Sequence, residues 1–164
     1  ADSFAQEQEN TVVISGSSRE KPLIDNVRKY LRNKVIINYG KLSLRGFAAL
    51  IARSNLVICN NAAPMHLAAA FGRPAVVLNG GFNDQREALK WGYKLNNIVM
   101  ITADVGPRPP DYRHRVCERH ICMREISPDF VLKEARRLLI SPDKVKLIDH
   151  VNSRVVSTNM RCGS

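Results

Sequence analysis

The stretch LVICNNAAPMHLAAAFGRPAVVL, residues 56–78, decides the fold. It holds two short apolar runs, Leu56-Val57-Ile58-Cys59 and Ala75-Val76-Val77-Leu78, on either side of a helical segment. Neither run alternates with polar residues, so each reads as a strand buried on both faces, as in a parallel sheet. The segment between them, Pro64-Met65-His66-Leu67-Ala68-Ala69-Ala70-Phe71, has Pro in its first turn and Gly72 just past its end. Pro lacks an N–H that the first turn leaves unpaired anyway, and Gly accepts the left-handed backbone that closes a helix. Strand, helix and strand in this order make one crossover unit.

The same alternation extends in both directions. Thr11-Val12-Val13-Ile14 reads as a strand ending at Ser15-Gly16. A helix follows from near Pro22 to Arg32, with Leu23, Val27, Tyr30 and Leu31 on one face. Val35-Ile36-Ile37 is a second strand, and Ser43 is the N-cap of a helix carrying Leu44, Phe47, Ala48 and Ile51. Ile98-Val99-Met100-Ile101 is a fifth strand, after those at 56–59 and 75–78. Gly106 to Asp111 is Pro-rich and reads as a loop, and Ser127-Pro128-Asp129 caps a helix running through Leu139. The expected fold is α/β: a Rossmann-like parallel sheet with helices on both faces, over residues 11–140. Residues 1–10 read as a frayed polar leader, and 141–164 as a short helix over 144–150 followed by a polar tail.

Composition narrows the function classes. With 164 residues, 45% hydrophobic and 24% charged, the chain is neither collagen-like, coiled-coil nor wholly disordered. A chain of this length buries roughly 70% of its extended surface. Its purely apolar stretches fall far short of the roughly 20 residues that cross a bilayer. No charged flank precedes an apolar run at the start, so no signal peptide is read, and the expected compartment is the cytoplasm. Cys59 ends an apolar run and reads as a buried thiol. Cys117 and Cys122, with His114 and His120 beside them, invite a zinc reading, but the spacing is wide and no second ligand pair lies nearby. No metal and no cofactor are expected.

The net charge of +10 is concentrated. Nine bases and two acids lie between Arg19 and Arg53, whereas the first ten residues carry Asp2, Glu7 and Glu9 and no base. A basic stretch attracts phosphates, whether on a small ligand, an anionic membrane surface or nucleic acid. The 6% aromatic content and the lack of basic runs interleaved with Phe or Tyr argue against nucleic acid.

In a parallel α/β fold, ligands bind at the carboxyl ends of the strands, where helix N-termini point unpaired N–H groups at an anion. Cys59-Asn60-Asn61-Ala62-Ala63-Pro64-Met65-His66 is such a junction. The small residues Ala62 and Ala63 let a ligand approach the backbone, and a neutral hydrogen-bonding ring at His66 suits the positive end of a helix. A capping or packing role is the plainer reading of such a histidine taken alone.

Two segments resemble a known family. Lys41-Leu42-Ser43-Leu44-Arg45-Gly46-Phe47-Ala48-Ala49-Leu50-Ile51-Ala52-Arg53-Ser54-Asn55-Leu56-Val57, continuing into Asn60 to Ala70, is similar to the donor-binding half of glycosyltransferase family 9, the heptosyltransferases of lipopolysaccharide core synthesis and their relatives. The family pattern is G-K-x-S-L-x-x-x-A-A-L-I-A-x-A-D-L-V, then x-N-D-S-G-P-M-H-L-A-A-A. Downstream, Cys122-Met123-Arg124-Glu125-Ile126-Ser127-Pro128-Asp129-Phe130-Val131 fits the family's C-M-x-x-I-x-P-x-x-V.

The resemblance implies one lobe of a GT-B enzyme, in which two Rossmann-like lobes face each other across the active site. The C-terminal lobe holds a nucleotide-sugar, often ADP-heptose; the other holds the acceptor, lipid-linked or glycan, and the catalytic base. This chain is expected to be the donor lobe alone, beginning near its second strand. By the same resemblance Glu20 matches the acid that binds the nucleotide ribose, and Leu42 supplies main-chain groups to adenine. Asn61, Ala62 and Ala63 fall on the loop that contacts diphosphate and sugar, and His66 matches the family histidine. Lys41 and Arg86 are the basic side chains on offer to a diphosphate, although a solvated charge is the plainer reading of each. No catalytic base is nameable within the chain. A peripheral contact with the inner face of the cytoplasmic membrane is the expected reason for the basic stretch.

Three departures from the family pattern fall just after strands, where ligands bind. Asn61 replaces Asp, Ala62-Ala63 replaces Ser-Gly, and Asn79-Gly80-Gly81 replaces F-G-P. An amide still hydrogen-bonds a sugar hydroxyl but does not offset positive charge on a departing sugar, a loss of about a few kcal/mol of transition-state stabilisation. The departures keep open a second reading, a catalytically degenerate lobe serving as a structural or protein-interaction module.

Overall fold

All five expected strands form, most of them running one or two residues further toward their C-terminal ends than their apolar runs do. They are β1 (Val13–Gly16), β2 (Ile36–Tyr39), β3 (Val57–Asn60), β4 (Ala75–Asn79) and β5 (Ile98–Thr102). Main-chain pairing does not require an apolar side chain, so the ladders continue onto the polar residues Asn60, Asn79 and Thr102. The computed structural model describes residues 1–7, 9–79, 97–102 and 121–141, and the chain divides into two units, 1–50 and 51–164. The expected loop at 106–111 and helix at 144–150 lie outside the described residues, as do Arg86, His114, Cys117 and His120.

In the first unit β1 and β2 pair in parallel, with Val13 opposite Ile36 and Gly16 opposite Tyr39. Between them run a 3-10 turn (Ser18–Glu20) and helix α2 (Lys21–Arg28). Helix α2 stops four residues before the expected end, and Lys29, Tyr30 and Leu31 continue with tight bonds to the third preceding carbonyl. Its buried residue is Ile24, whereas Leu23 is 62% and Tyr30 77% exposed. The face expected from Leu23, Val27 and Tyr30 is therefore not the one that packs on the strands. Gly40 closes β2 with φ +63, its N–H donating to Gly16 O at 3.0 Å.

The acidic start of the chain is not frayed. Asp2–Ala5 forms a short helix, α1, and buries Phe4. Asp2 Oδ1 accepts from Arg32 N at 3.0 Å, Asn33 N at 2.9 Å and Asn33 Nδ2 at 3.0 Å. These bonds hold the Asp2 carboxyl below the usual carboxylate range, the Asn33 N–H contributing most.

Helix α3 (Leu44–Arg53) starts as expected, Ser43 Oγ accepting from Gly46 N at 3.1 Å. The second unit is built on the parallel sheet β3-β4-β5. Ala75, Val76 and Val77 are successive and fully buried, so the central strand β4 is covered on both faces. The helices that touch it are α4 (Ala63–Ala70) and the last described helix, α6 (Pro128–Ile140). Helix α4 ends in a Schellman motif: Arg73 N donates to Ala68 O at 2.8 Å and Gly72 N to Ala69 O at 3.1 Å, with Gly72 at φ +61. A short helix, α5 (Ile121–Arg124), precedes α6. Between them Ile126 enters the core, Ser127 Oγ accepts from Phe130 N at 3.4 Å, and Pro128 occupies the first helical position. The C-M-x-x-I-x-P segment is thus a helix-to-helix joint. The arrangement is α/β and Rossmann-like, parallel sheets flanked by helices.

Candidate functional site

The carboxyl edge of β3-β4-β5 carries a row of hydrogen-bonded polar side chains. Asn61, immediately after β3, donates through Nδ2 to Asn79 Oδ1 at 3.2 Å. Asn79, the last residue of β4, donates through Nδ2 to Thr102 Oγ1 at 3.3 Å, and Thr102 ends β5. The main chain fixes the first member as well, Asn61 N donating to Leu78 O at 3.2 Å. Asn79 is 7% exposed, so its amide is bonded at both ends where water has little access. The row is uncharged.

Helix α4 opens directly after Asn61. Ala62 is its N-cap, in extended conformation, and no side chain caps the helix. Ala62 and Ala63 are both exposed. Pro64 has no N–H to leave unpaired, and Met65 N bonds to Ala62 O at 3.0 Å. An uncapped helix start flanked by methyl groups is open to an anion, whose oxygens take the place of the missing cap. His66 follows on the first turn and is half-buried. The structure thus brings Asn61, Ala62, Ala63 and His66 to one strand-to-helix junction, as the sequence reading expects.

Glu20 and Leu42 belong to the first unit. Glu20 ends the 3-10 turn, and its Oε2 accepts from Ser17 N and from Ser17 Oγ, each at 2.7 Å. The Ser17 N–H, and then its hydroxyl, hold the Glu20 carboxyl below the usual range. A carboxylate has about four acceptor sites, so the turn leaves Glu20 acceptor capacity for further donors. Gly16 keeps this turn close: a Cβ there would meet Ile24 Cδ1 at 2.8 Å and Glu20 Oε2 at 3.2 Å. Leu42 is exposed in the loop between β2 and α3, near the first turn of α3, and Lys41 beside it is exposed too. Lys21 is occupied, ion-paired with Asp25 and 5.1 Å above the Tyr39 ring.

Cys59 is a free thiol on β3, half-buried, and burial pushes it up to about 11. That agrees with a packing role. Among the described residues, no three His, Cys, Asp or Glu side chains gather as a metal site, and no helix is long and apolar enough to cross a membrane.

Sequence reasoning noticed Asn79 only as a departure and missed Thr102. The available signal was positional, since both are polar residues ending apolar strands (Val76-Val77-Leu78-Asn79 and Val99-Met100-Ile101-Thr102) at the edge where α/β folds bind ligands.

Comparison with known proteins places the chain in a family. Over 136 residues the chain is 24% identical to lipooligosaccharide heptosyltransferase 2 of Campylobacter jejuni subsp. jejuni serotype O:2, a match covering 80% of this chain and 42% of that protein. The chain thus spans less than half the length of the curated relative it matches. No solved structure matches it. The pattern of glycosyltransferase family 9 (heptosyltransferase) matches residues 1–108, which include both site segments. The chain belongs to glycosyltransferase family 9.

Proposed function

We propose that this chain is the donor-binding lobe of an inverting glycosyltransferase of lipopolysaccharide or related glycan synthesis, and that it holds a nucleotide-diphosphate sugar. ADP-heptose is the donor that the family resemblance favours. The observation that carries the reading is the uncharged row Asn61–Asn79–Thr102 set against the uncapped start of α4. The helix start offers main-chain donors to a diphosphate without needing a side chain, and the amide row offers neutral hydrogen bonds to a sugar. Glu20, by the resemblance, takes the ribose, and the Leu42 main chain takes the base. Transfer is direct displacement at the anomeric carbon: the acceptor oxygen bonds to that carbon on the face opposite the leaving group. The carbon–oxygen bond to the nucleotide diphosphate breaks, and the departing charge is met by the N–H groups at the α4 start. The acceptor, lipid-linked or glycan, and the base that takes its proton belong to a second lobe. The lobe works in the cytoplasm, and its basic stretch draws it to the inner face of the cytoplasmic membrane.

A second reading, binding without transfer, is favoured by Asn61, which stands where the family pattern has an acid. Thermal unfolding with ADP, UDP, GDP and ADP-heptose tests the binding that both readings require, and sugar transfer assayed in the presence of the acceptor lobe separates them. The donor-lobe reading expects ADP and ADP-heptose to raise the midpoint by several degrees at 100-fold excess over Kd, about 2.7 kcal/mol. No shift with any nucleotide diphosphate contradicts both the donor reading and binding without transfer. A shift driven by DNA or RNA and abolished by salt instead favours a nucleic-acid role for the basic stretch.

A further inference from the structure

Two departures from the family pattern, at positions 61 and 79, touch each other. Asn61 stands where the pattern carries Asp and Asn79 where it carries Phe, and Asn61 Nδ2 donates to Asn79 Oδ1 at 3.2 Å. The bond needs both departures, because an Asp at 61 has no amide donor to give and a Phe at 79 has no oxygen to receive one. Asn79 is in turn anchored by donation to Thr102 Oγ1 at 3.3 Å. At 7% exposure a primary amide must bond at both ends, and Asn79 does so, its Nδ2 on Thr102 and its Oδ1 on the Asn61 amide. With Nδ2 committed to the row, Asn61 turns its Oδ1, an acceptor, away from Asn79.

We propose that Asn79, anchored on Thr102, is a positioning residue that orients the Asn61 amide so that Oδ1 accepts a hydrogen bond from a hydroxyl of the donor sugar. The role assigned to the sugar rests on the donor-lobe reading above; the row itself does not. The pair is a neutral replacement for a carboxylate: it selects for a sugar hydroxyl by geometry and carries no charge. A site built to bond a hydroxyl discriminates strongly against ligands lacking it, because its own buried group is then left unpaired. Asn61 and Asn79 therefore act as one unit, and neither can be exchanged alone without loss.

The test has a ligand-free arm and a ligand arm, both on the full chain. In nitrogen-15 NMR spectra without ligand, the side-chain amide of Asn61 is expected to be protected from exchange in wild type and in Thr102→Ser. Protection should be lost in Asn79→Leu and weakened in Thr102→Val. In titrations, ADP-heptose should bind more tightly than ADP, and Asn79→Leu should cut that preference about tenfold while leaving the ADP Kd within about twofold. Asn61→Asp with Asn79→Phe together should recover more binding than either change alone. An Asn61 amide signal that is the same in Asn79→Leu as in wild type overturns the row, whatever binds. Equal weakening toward ADP and ADP-heptose overturns the sugar role. Protected amides in a protein that binds neither ligand overturn the donor-lobe reading, and the sugar role with it.

Discussion

The two units are held together by different physics. In the second, Met65, Val76, Val77, Val99 and Leu138 are fully buried, and a strand covered on both faces runs through the middle. In the first, the buried apolar residues among those described are Phe4 and Ile24, neither of them fully, while Leu23, Val27, Tyr30 and Ile36 stay exposed. What organises the first unit is local and polar: Asp2 gathering three donors, Glu20 clamping Ser17, and Gly40 bonding Gly16. Apolar burial is worth about 25 cal/mol per Å², whereas a single hydrogen bond nets only about 1 kcal/mol. The second unit therefore supplies most of the rigidity, and it also carries the amide row and the α4 junction.

The largest effect that sharpens this contrast is expected from Leu138→Ala, which empties a fully buried site and should cost about 2–5 kcal/mol in urea unfolding. Leu23→Ala, the same chemical change at an exposed position, should fall within about 0.5 kcal/mol. Comparable losses at the two sites would break the comparison. Next is Gly40→Ala. Its φ of +63 disfavours any side chain, and a Cβ there would lie 2.8 Å from Ser18 Cβ. A loss of about 1–3 kcal/mol, read as faster amide exchange over 13–40 and unchanged exchange over 75–79, is the expected result. Exchange that rises equally in both units would show that they unfold together.

Smaller still is Ser127→Ala, which removes the cap of α6 and should cost about 1 kcal/mol in thermal unfolding. A neutral outcome would mean that Pro128 and core packing alone fix that helix start. Last comes acid. Asp2 and Glu20 are both depressed in the folded state, so each contributes stability at neutral pH that is lost as pH falls through its folded value. Protection of the Arg32, Asn33 and Ser17 amides should therefore drop on acidification before that of β4 does. Equal retention in both units down to about pH 3 would contradict the polar account of the first unit.

The central strand was legible because burial on both faces leaves an unmistakable mark, whereas β3, whose apolar run reads the same way, alternates and leaves Ile58 41% exposed. Val76-Val77 and Val99 had to be internal strand residues, and Pro64 with Gly72 bounded the helix between. The first unit read less well for the same reason. With few buried positions, periodicity had little to lock onto, and Leu23, Val27 and Tyr30 lined up on a face that stays exposed. The bonding of Asp2 was not legible because its partners, Arg32 and Asn33, lie about thirty residues away and use main-chain N–H groups, which leave no trace in sequence. The α4 junction was visible as small residues after a strand. The amide row was not, since Asn61, Asn79 and Thr102 become neighbours only when three strands are set in register.

Most directly, the donor-site assignment is tested by mapping where a nucleotide-sugar lands on the labelled full chain. ADP-heptose titrated into it should shift the backbone amides of Ala62, Ala63 and His66 and the side-chain amides of Asn61 and Asn79, with Glu20 and Leu42 following. Saturating shifts confined to other residues, or none at all, would contradict it.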